Sequence, residues 1–249
     1  MENTRGNTEE LCEACFDGDI EVVEEILSNE MVNINGRDFV GGTPLTWAVR
    51  FGHLNIVRRI LQHPEVDINA SDYDGDTPLI CAVVGGYLDI VRTLLKVHAL
   101  QFGRCNNDGA TALHYASGVN RVSILKLLCQ DSRCSPVVVN KKNSHDGATA
   151  LMMAVYCGHL DIVKELDREG TDFSTKYGDG TTLIEMARKK DHAEVLKYLK
   201  DRPKVDSLKV IVAHNIARYV RNKADVEAME IPVTMRQFLA GFVNEDADD

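Results

Sequence analysis

The chain is 249 residues long and 44% hydrophobic, with 28 basic against 38 acidic side chains and a net charge of −10. That length and apolar content can bury a sizeable core. The acidic balance argues against nucleic acid as a partner, because a general nucleic-acid binder needs a basic face, and no apolar run reaches the ~18 residues of a membrane span.

At the N-terminus, MENTRGNTEEL is polar and acidic, unlike a secretory leader or an Arg-rich transit peptide. A cytoplasmic or nuclear location is therefore expected. Residues 1–37 hold ten acidic and two basic side chains and so carry most of the net charge. The first unit of a stacked array needs such a polar outer face, and the same charge would also attract a basic partner segment. Cys12 and Cys15 have the spacing of a metal or redox pair. They fall within a helical stretch, LCEACFDGDIEVVEEIL (11–27), and no second Cys or His pair completes four ligands. They read as small buried thiols, and the odd total of seven cysteines reads as reduced thiols.

Next in the chain come GGTPLTWAVRFGHLNIVRRIL (41–61) and GDTPLICAVVGGYLDIVRTLL (75–95), then GATALHYASGVNRVSILKLL (109–128) and GATALMMAVYCGHLDIVKEL (147–166). Their Leu45, Leu79, Leu113 and Leu151 are spaced by 34, 34 and 38 residues. The stretch at 11–27 is a degenerate copy upstream, with Gly18 standing 34 residues before Gly52, and GTTLIEMARKKDHAEVLKYL (180–199) is another downstream. Thr43 and Thr77 read as helix N-caps, with Pro44 and Pro78 at the first helical position, where a missing N–H costs nothing. Gly52, Gly86 and Gly158 end the short first helices, with Asn120 and Lys190 in the corresponding places of the fourth and sixth units. Second helices follow with the period of Ile56, Val57, Ile60 and Leu61. Asp74-Gly75, Asp108-Gly109 and Asp146-Gly147 mark turns between units. The segment DSRCSPVVVNKKNSHDG (131–147) lengthens the fourth unit and predicts a bulged loop with weaker local register.

A long pattern recurring in register resembles the ankyrin-repeat family. The matching residues include Thr43-Pro44-Leu45, Ala48, Gly52-His53 and Ile56-Val57, with Thr77-Pro78-Leu79 and Gly158-His159-Leu160 in later units. The resemblance covers residues 8–203 and implies an all-α solenoid of about six units, at about 8–37, 38–71, 72–105, 106–143, 144–177 and 178–203. It also implies a concave groove, formed by the tips and the exposed side of the first helices, that holds a target protein. The positions that map there are Phe16, Phe39, Val40, Arg50, Phe51, Tyr73, Asp74, Val84, Val119 and Tyr156. An apolar and aromatic stripe rimmed by charge is the composition of a protein-binding patch. Trp47, Cys81, Tyr115 and Met153 share one register position and read as inter-repeat core.

No catalytic set emerges. His114 occupies the helix-start position where the family carries a hydrogen-bonding histidine, and His53 and His159 follow the helix-ending glycines. All three read as structural. Cys129 and Cys134 bracket a helix end, and no Gly-rich phosphate loop follows a strand. The expectation is a non-enzyme without cofactor or metal.

Beyond Pro203, Asp206 or Ser207 can cap a new helix. Leu208, Val212 and Ile216 align on one face, and Val210, Ala213, Ala217 and Val220 form a second, so such a helix needs two partners. The stretch SLKVIVAHNIARYV with the later IPVTMRQFL resembles a SOCS box. That resemblance implies a small helical module at 204–243 that recruits elongin B–C through Leu208, Val212 and Ile216, and a cullin scaffold through Ile231, Pro232, Phe238 and Leu239. Val212 stands where that family usually has Cys, and Ile231-Pro232 lacks the usual second Pro two residues on. An acidic tail, 244–249, closes the sequence.

Overall fold

The computed structural model describes residues 2–28 and 32–202, with side chains from residue 7 onward. Six helix pairs follow one another: α1 (Glu2–Asp17) with α2 (Ile20–Leu27), α3 (Pro44–Arg50) with α4 (Leu54–Ile60), and α5 (Pro78–Gly85) with α6 (Leu88–Leu95). Then come α7 (Ala112–Gly118) with α8 (Val122–Cys129), a one-turn α9 (Pro136–Val139), α10 (Ala150–Cys157) with α11 (Leu160–Arg168), and α12 (Leu183–Lys189) with α13 (Ala193–Asp201). First helices pack on first helices in one row (α1, α3, α5, α7, α10, α12), and second helices form a parallel row behind them. Among the described residues there is no strand, only an isolated antiparallel bridge between Lys176 and Thr182.

Helices this short are marginal alone in water, so packing must hold them. The core runs as one cluster between the two rows, with Leu45, Ile56, Val57 and Ile60 of the second unit recurring as Leu79, Ile90, Val91 and Leu94 of the third. Each such side chain contributes about 1.5–3 kcal/mol on burial. Caps fix where each helix begins. The Thr43 and Thr77 hydroxyls accept from the amides of Thr46 and Ile80 at 3.2 and 3.3 Å. Pro44 and Pro78 follow them at the first helical position.

Between the paired helices the chain must turn through a left-handed residue. Gly52 does so at φ 81°, and a Cβ there would also lie 2.6 Å from the Tyr87 ring of the next unit. The fourth and sixth units use non-glycine residues. Asn120, as expected, sits at φ 55°, but in the sixth unit Asp191 takes the position at φ 57°. Lys190, expected there, is the preceding residue at φ −94°. The correction has a physical reason: Asp tolerates the left-handed region through local hydrogen bonding and Lys does not.

The 131–147 segment holds one element that the sequence did not announce. The expected loop is present, but it contains the one-turn α9, with Val139 and Cys134 buried. Arg133 ties the segment to the preceding unit, donating to the Leu95 and Val97 carbonyls at 2.7 and 3.2 Å. Register is kept by a ladder of asparagine side chains that no repeat motif announces. Asn69 donates to the Ala99 carbonyl at 2.8 Å and accepts from the Gln101 amide at 2.7 Å. Asn35 bonds Glu65 and Asp67 in the same way, and Asn140 accepts from the Asp172 amide across the inserted segment. Leu208, Val212, Ile216, Ile231, Pro232, Phe238 and Leu239 lie outside the described residues.

Candidate protein-interaction face

Three register positions of each first helix point away from the core. They are Glu13, Phe16 and Asp17 on α1, and half-buried Trp47, Arg50 and the C-cap Phe51 on α3, the first of the three positions being buried in the third unit as Cys81. The 3.6-residue period puts them on one face, and the parallel row of first helices makes that face continuous. Phe16 and Phe51 meet across the two units with ring centroids 4.4 Å apart. Trp47 completes the cluster, 5.6 Å from Phe16 in an edge arrangement and 5.9 Å from Phe51 in a stacked one. Phe16 and Phe51 nevertheless remain 45% and 42% exposed. The contacts leave a large apolar area in water, the kind of surface that a partner desolvates.

Polar groups fix the cluster. The Trp47 indole Nε1–H donates to Asp38 Oδ2 at 2.7 Å, while Asp38 Oδ1 accepts from the Val40 and Gly42 amides in its own turn. The Arg50 guanidinium lies 5.7 Å from the Trp47 ring centroid and is ion-paired to Asp72 of the next tip. Between them lies a cavity of about 90 Å³ lined by Val40, Trp47, Arg50, Asp72 and Asp74. Phe39 stands alone at a tip, 88% exposed, and Tyr73 is also exposed, its ring lying over Gly41 of the preceding tip. Val84 and Val119 continue the exposed row through the third and fourth units. Tyr156, in the fifth, is separate from the aromatic cluster and carries Lys190 Nζ 3.9 Å above its ring.

Trp47, Tyr115 and Met153, expected as inter-repeat core, are only half-buried, and of that register position Cys81 alone is buried among the four. One side of each larger side chain packs on its neighbour and the other lines the face, as the Tyr115 hydroxyl accepting from Asn106 at 2.9 Å illustrates. Trp47 therefore packs on the core with one side, as its register position implied, and leaves its other side on the exposed face. The signal for that exposed side was available in the adjacent Arg50 and Phe51.

Four histidines bridge neighbouring units, three of them with one geometry. His114 accepts from the Thr111 amide on Nδ1 at 3.1 Å and donates from Nε2 to the Ala148 carbonyl of the next unit at 3.1 Å. Its burial pushes its pKa down. His53, His159 and His192 reach back to the carbonyls of Phe16, Gly118 and Tyr156 at 2.9–3.1 Å, joining each unit to the one before. Burial pushes the Cys12 thiol up to about 12 and the Cys81 thiol up to about 11. Burial thus favours the neutral thiol at both positions. Among the described residues no helix is long and apolar enough to cross a membrane.

At the far end of the stack, a second cavity of about 490 Å³ is lined by Phe173, Thr182, Leu183, Ile184, Leu199 and Arg202. Ile184 stands 36% exposed there, at the register place that Leu151 fills as a fully buried residue in the fifth unit.

The family model described as ankyrin repeats (3 copies) matches four overlapping stretches, residues 11–103, 67–140, 97–177 and 137–209. Human ankyrin repeat domain-containing protein 29 is 40% identical over 63 residues, 25% of this chain and 20% of that protein, so the match spans a fifth of the relative's length. The fold is similar to a crystal structure of the ankyrin repeat protein EF0377, at TM-score 0.70 and 30% identity over 78% of this chain and 98% of that one. An ankyrin repeat domain from Acinetobacter baumannii AYE gives 0.67 and 30% over 76% and 95%. A chain in the complex of a predatory endopeptidase from Bdellovibrio bacteriovorus with its immunity protein gives 0.69 and 25% over 78% and 98%. A family match over most of the array, joined to helix pairs stacked in register behind a continuous exposed face, shows that this chain belongs to the ankyrin-repeat family and presents that family's protein-interaction scaffold.

Proposed function

We propose that the chain is the substrate-recognition adaptor of an elongin–cullin-type ubiquitin ligase, with no catalytic role of its own. The observation that carries the reading is the exposed cluster of Phe16, Trp47 and Phe51 beside Arg50, an aromatic anchor with a charged rim. The target protein docks on this face, with Tyr73, Val84, Val119 and Tyr156 extending the contact. The box at 204–243 docks elongin B–C through Leu208, Val212 and Ile216, and a cullin through Ile231, Pro232, Phe238 and Leu239. The chain contributes proximity: holding two reactants together raises their effective concentration, and other subunits transfer ubiquitin.

The sequence order supports the link to the ligase, because the SOCS-like pattern follows the array directly. A second reading is favoured by the open apolar cavity of Phe173, Ile184 and Leu199 at the end of the stack. If Leu208 covers that cavity, the C-terminal segment is a cap and the protein a non-catalytic scaffold or inhibitor. Titration of the full chain with purified elongin B–C separates the two. The adaptor reading expects a stoichiometric complex, and absence of measurable affinity overturns it.

A further inference from the structure

We infer that the interaction face takes an extended, charge-polarised segment of a partner protein, basic at one end, apolar in the middle and acidic at the other, with its basic end over the first unit. The inference rests on the groove reading above and names the chemistry of what the groove holds. The observation behind it is the order of side chains along the outward positions of the first helices. In the first unit these are Glu13 and Asp17, both exposed, flanking Phe16. In the second, Arg50 is the charged residue, and Asp72 already neutralises it. From the third to the fifth unit the outward first-helix positions, Val84, Gly85, Val119 and Tyr156, carry no formal charge, and the exposed charges Asp74, Asp108 and Asp146 of these units lie on the tips at the rim. In the sixth the outward positions are Lys189 and Lys190, both exposed.

The acidic surplus of the first unit is therefore more than the polar outer face of a terminal repeat. Glu21, Glu24 and Glu25 lie on α2, in the row behind. Glu13 and Asp17 lie on the interaction face itself, in the register places of Trp47 and Phe51. At the opposite end, Lys190 is held over the Tyr156 ring, so the positive end also sits beside an aromatic anchor. A partner with uniform charge would meet repulsion at one end. Placing like charges together across an interface costs affinity, whereas complementary placement also fixes direction. Five helix-to-helix steps at about 8–10 Å each span roughly 45 Å, which an extended chain at about 3.3 Å per residue crosses in about 14 residues.

The test is selection from a phage library of random linear 16-residue peptides on the immobilised full chain. The expected result is enriched sequences with Lys or Arg grouped at one terminus, apolar residues centrally and Asp or Glu at the other. Binding of the top peptide should fall about tenfold in Glu13→Lys with Asp17→Lys, since exposed ion pairs contribute up to about 1 kcal/mol each. Lys189→Glu with Lys190→Glu should produce a comparable loss. A dansyl group on the basic end of the peptide should quench Trp47, the only tryptophan, more strongly than one on the acidic end. Enriched peptides without charge order, but lost on Phe51→Ala, would overturn this inference and leave the groove reading standing. Peptides insensitive to Phe51→Ala would overturn the groove reading too. A selection that enriches nothing overturns the assignment of a linear ligand.

Discussion

Phe51 shows how one side chain divides between stability and recognition. Its ring stacks on Trp47 and meets Phe16 at a tilt yet remains 42% exposed, and Tyr156 is 47% exposed. An aromatic pair is worth about 0.5–1.5 kcal/mol beyond its burial, while a core Phe→Ala costs about 3–5 kcal/mol. Phe51→Ala with Tyr156→Ala should therefore lower the melting temperature by only about 2–4 °C while abolishing retention of the selected peptide. A fall on the scale of a core truncation, measured by thermal melt, would place these rings in the core. His114 gives a residue-scale prediction in pH. Burial opposes the charged form and holds the folded pKa below the ordinary 6.5, and Nδ1 already accepts from the Thr111 amide. The unfolded chain thus binds a proton first as pH falls. Stability is full above pH 6.5 and is lost progressively as pH drops below it. Denaturation midpoints between pH 7 and pH 5 should show this loss, and His114→Gln should flatten it.

At the element scale, the caps and turns were legible because each answers to local chemistry. Thr43 with Pro44 and Thr77 with Pro78 announce helix starts from four residues of sequence. The turn after each first helix is less legible where glycine is replaced, because Asn120 and Asp191 are chosen by tolerance of the left-handed region and neither is a unique signal. Asn120→Ala should cost about 1 kcal/mol, and Asn120→Gly should stay within about 0.5 kcal/mol of wild type. Gly52→Ala should cost more than Asn120→Ala, because the added Cβ meets the Tyr87 ring at 2.6 Å as well as the strained φ. Urea midpoints of the three variants check that order. Insertion of α9 went unread for a different reason: Ser135-Pro136 is a good helix start, but four residues are too few to show a period.

For the whole molecule, the decisive question is what the C-terminal segment meets. If Leu208 and Ile216 anchor elongin C, Leu208→Ala with Ile216→Ala removes contacts that commonly cost about 2 kcal/mol or more. That corresponds to at least a roughly thirtyfold loss of elongin affinity. Peptide binding on the groove and the thermal melt of the array should be unchanged. Unfolding of the last repeats in the double variant would show instead that Leu208 caps the cavity of Phe173, Ile184 and Leu199.

The sequence by itself determined the repeat, the helix pairs, their caps and the residues of the exposed face, because all of these follow from period, local backbone chemistry and recurrence in register. Tertiary structure alone decided that Phe16 joins Trp47 and Phe51, since they belong to different units and meet only when the units stack. It also decided that Trp47 is only half-buried. Half-burial depends on the tilt of neighbouring helices, which a register position does not encode. The asparagine ladder of Asn35, Asn69 and Asn140 belongs to the same class: its partners are backbone groups of the next unit, whose positions exist only once the stack has formed.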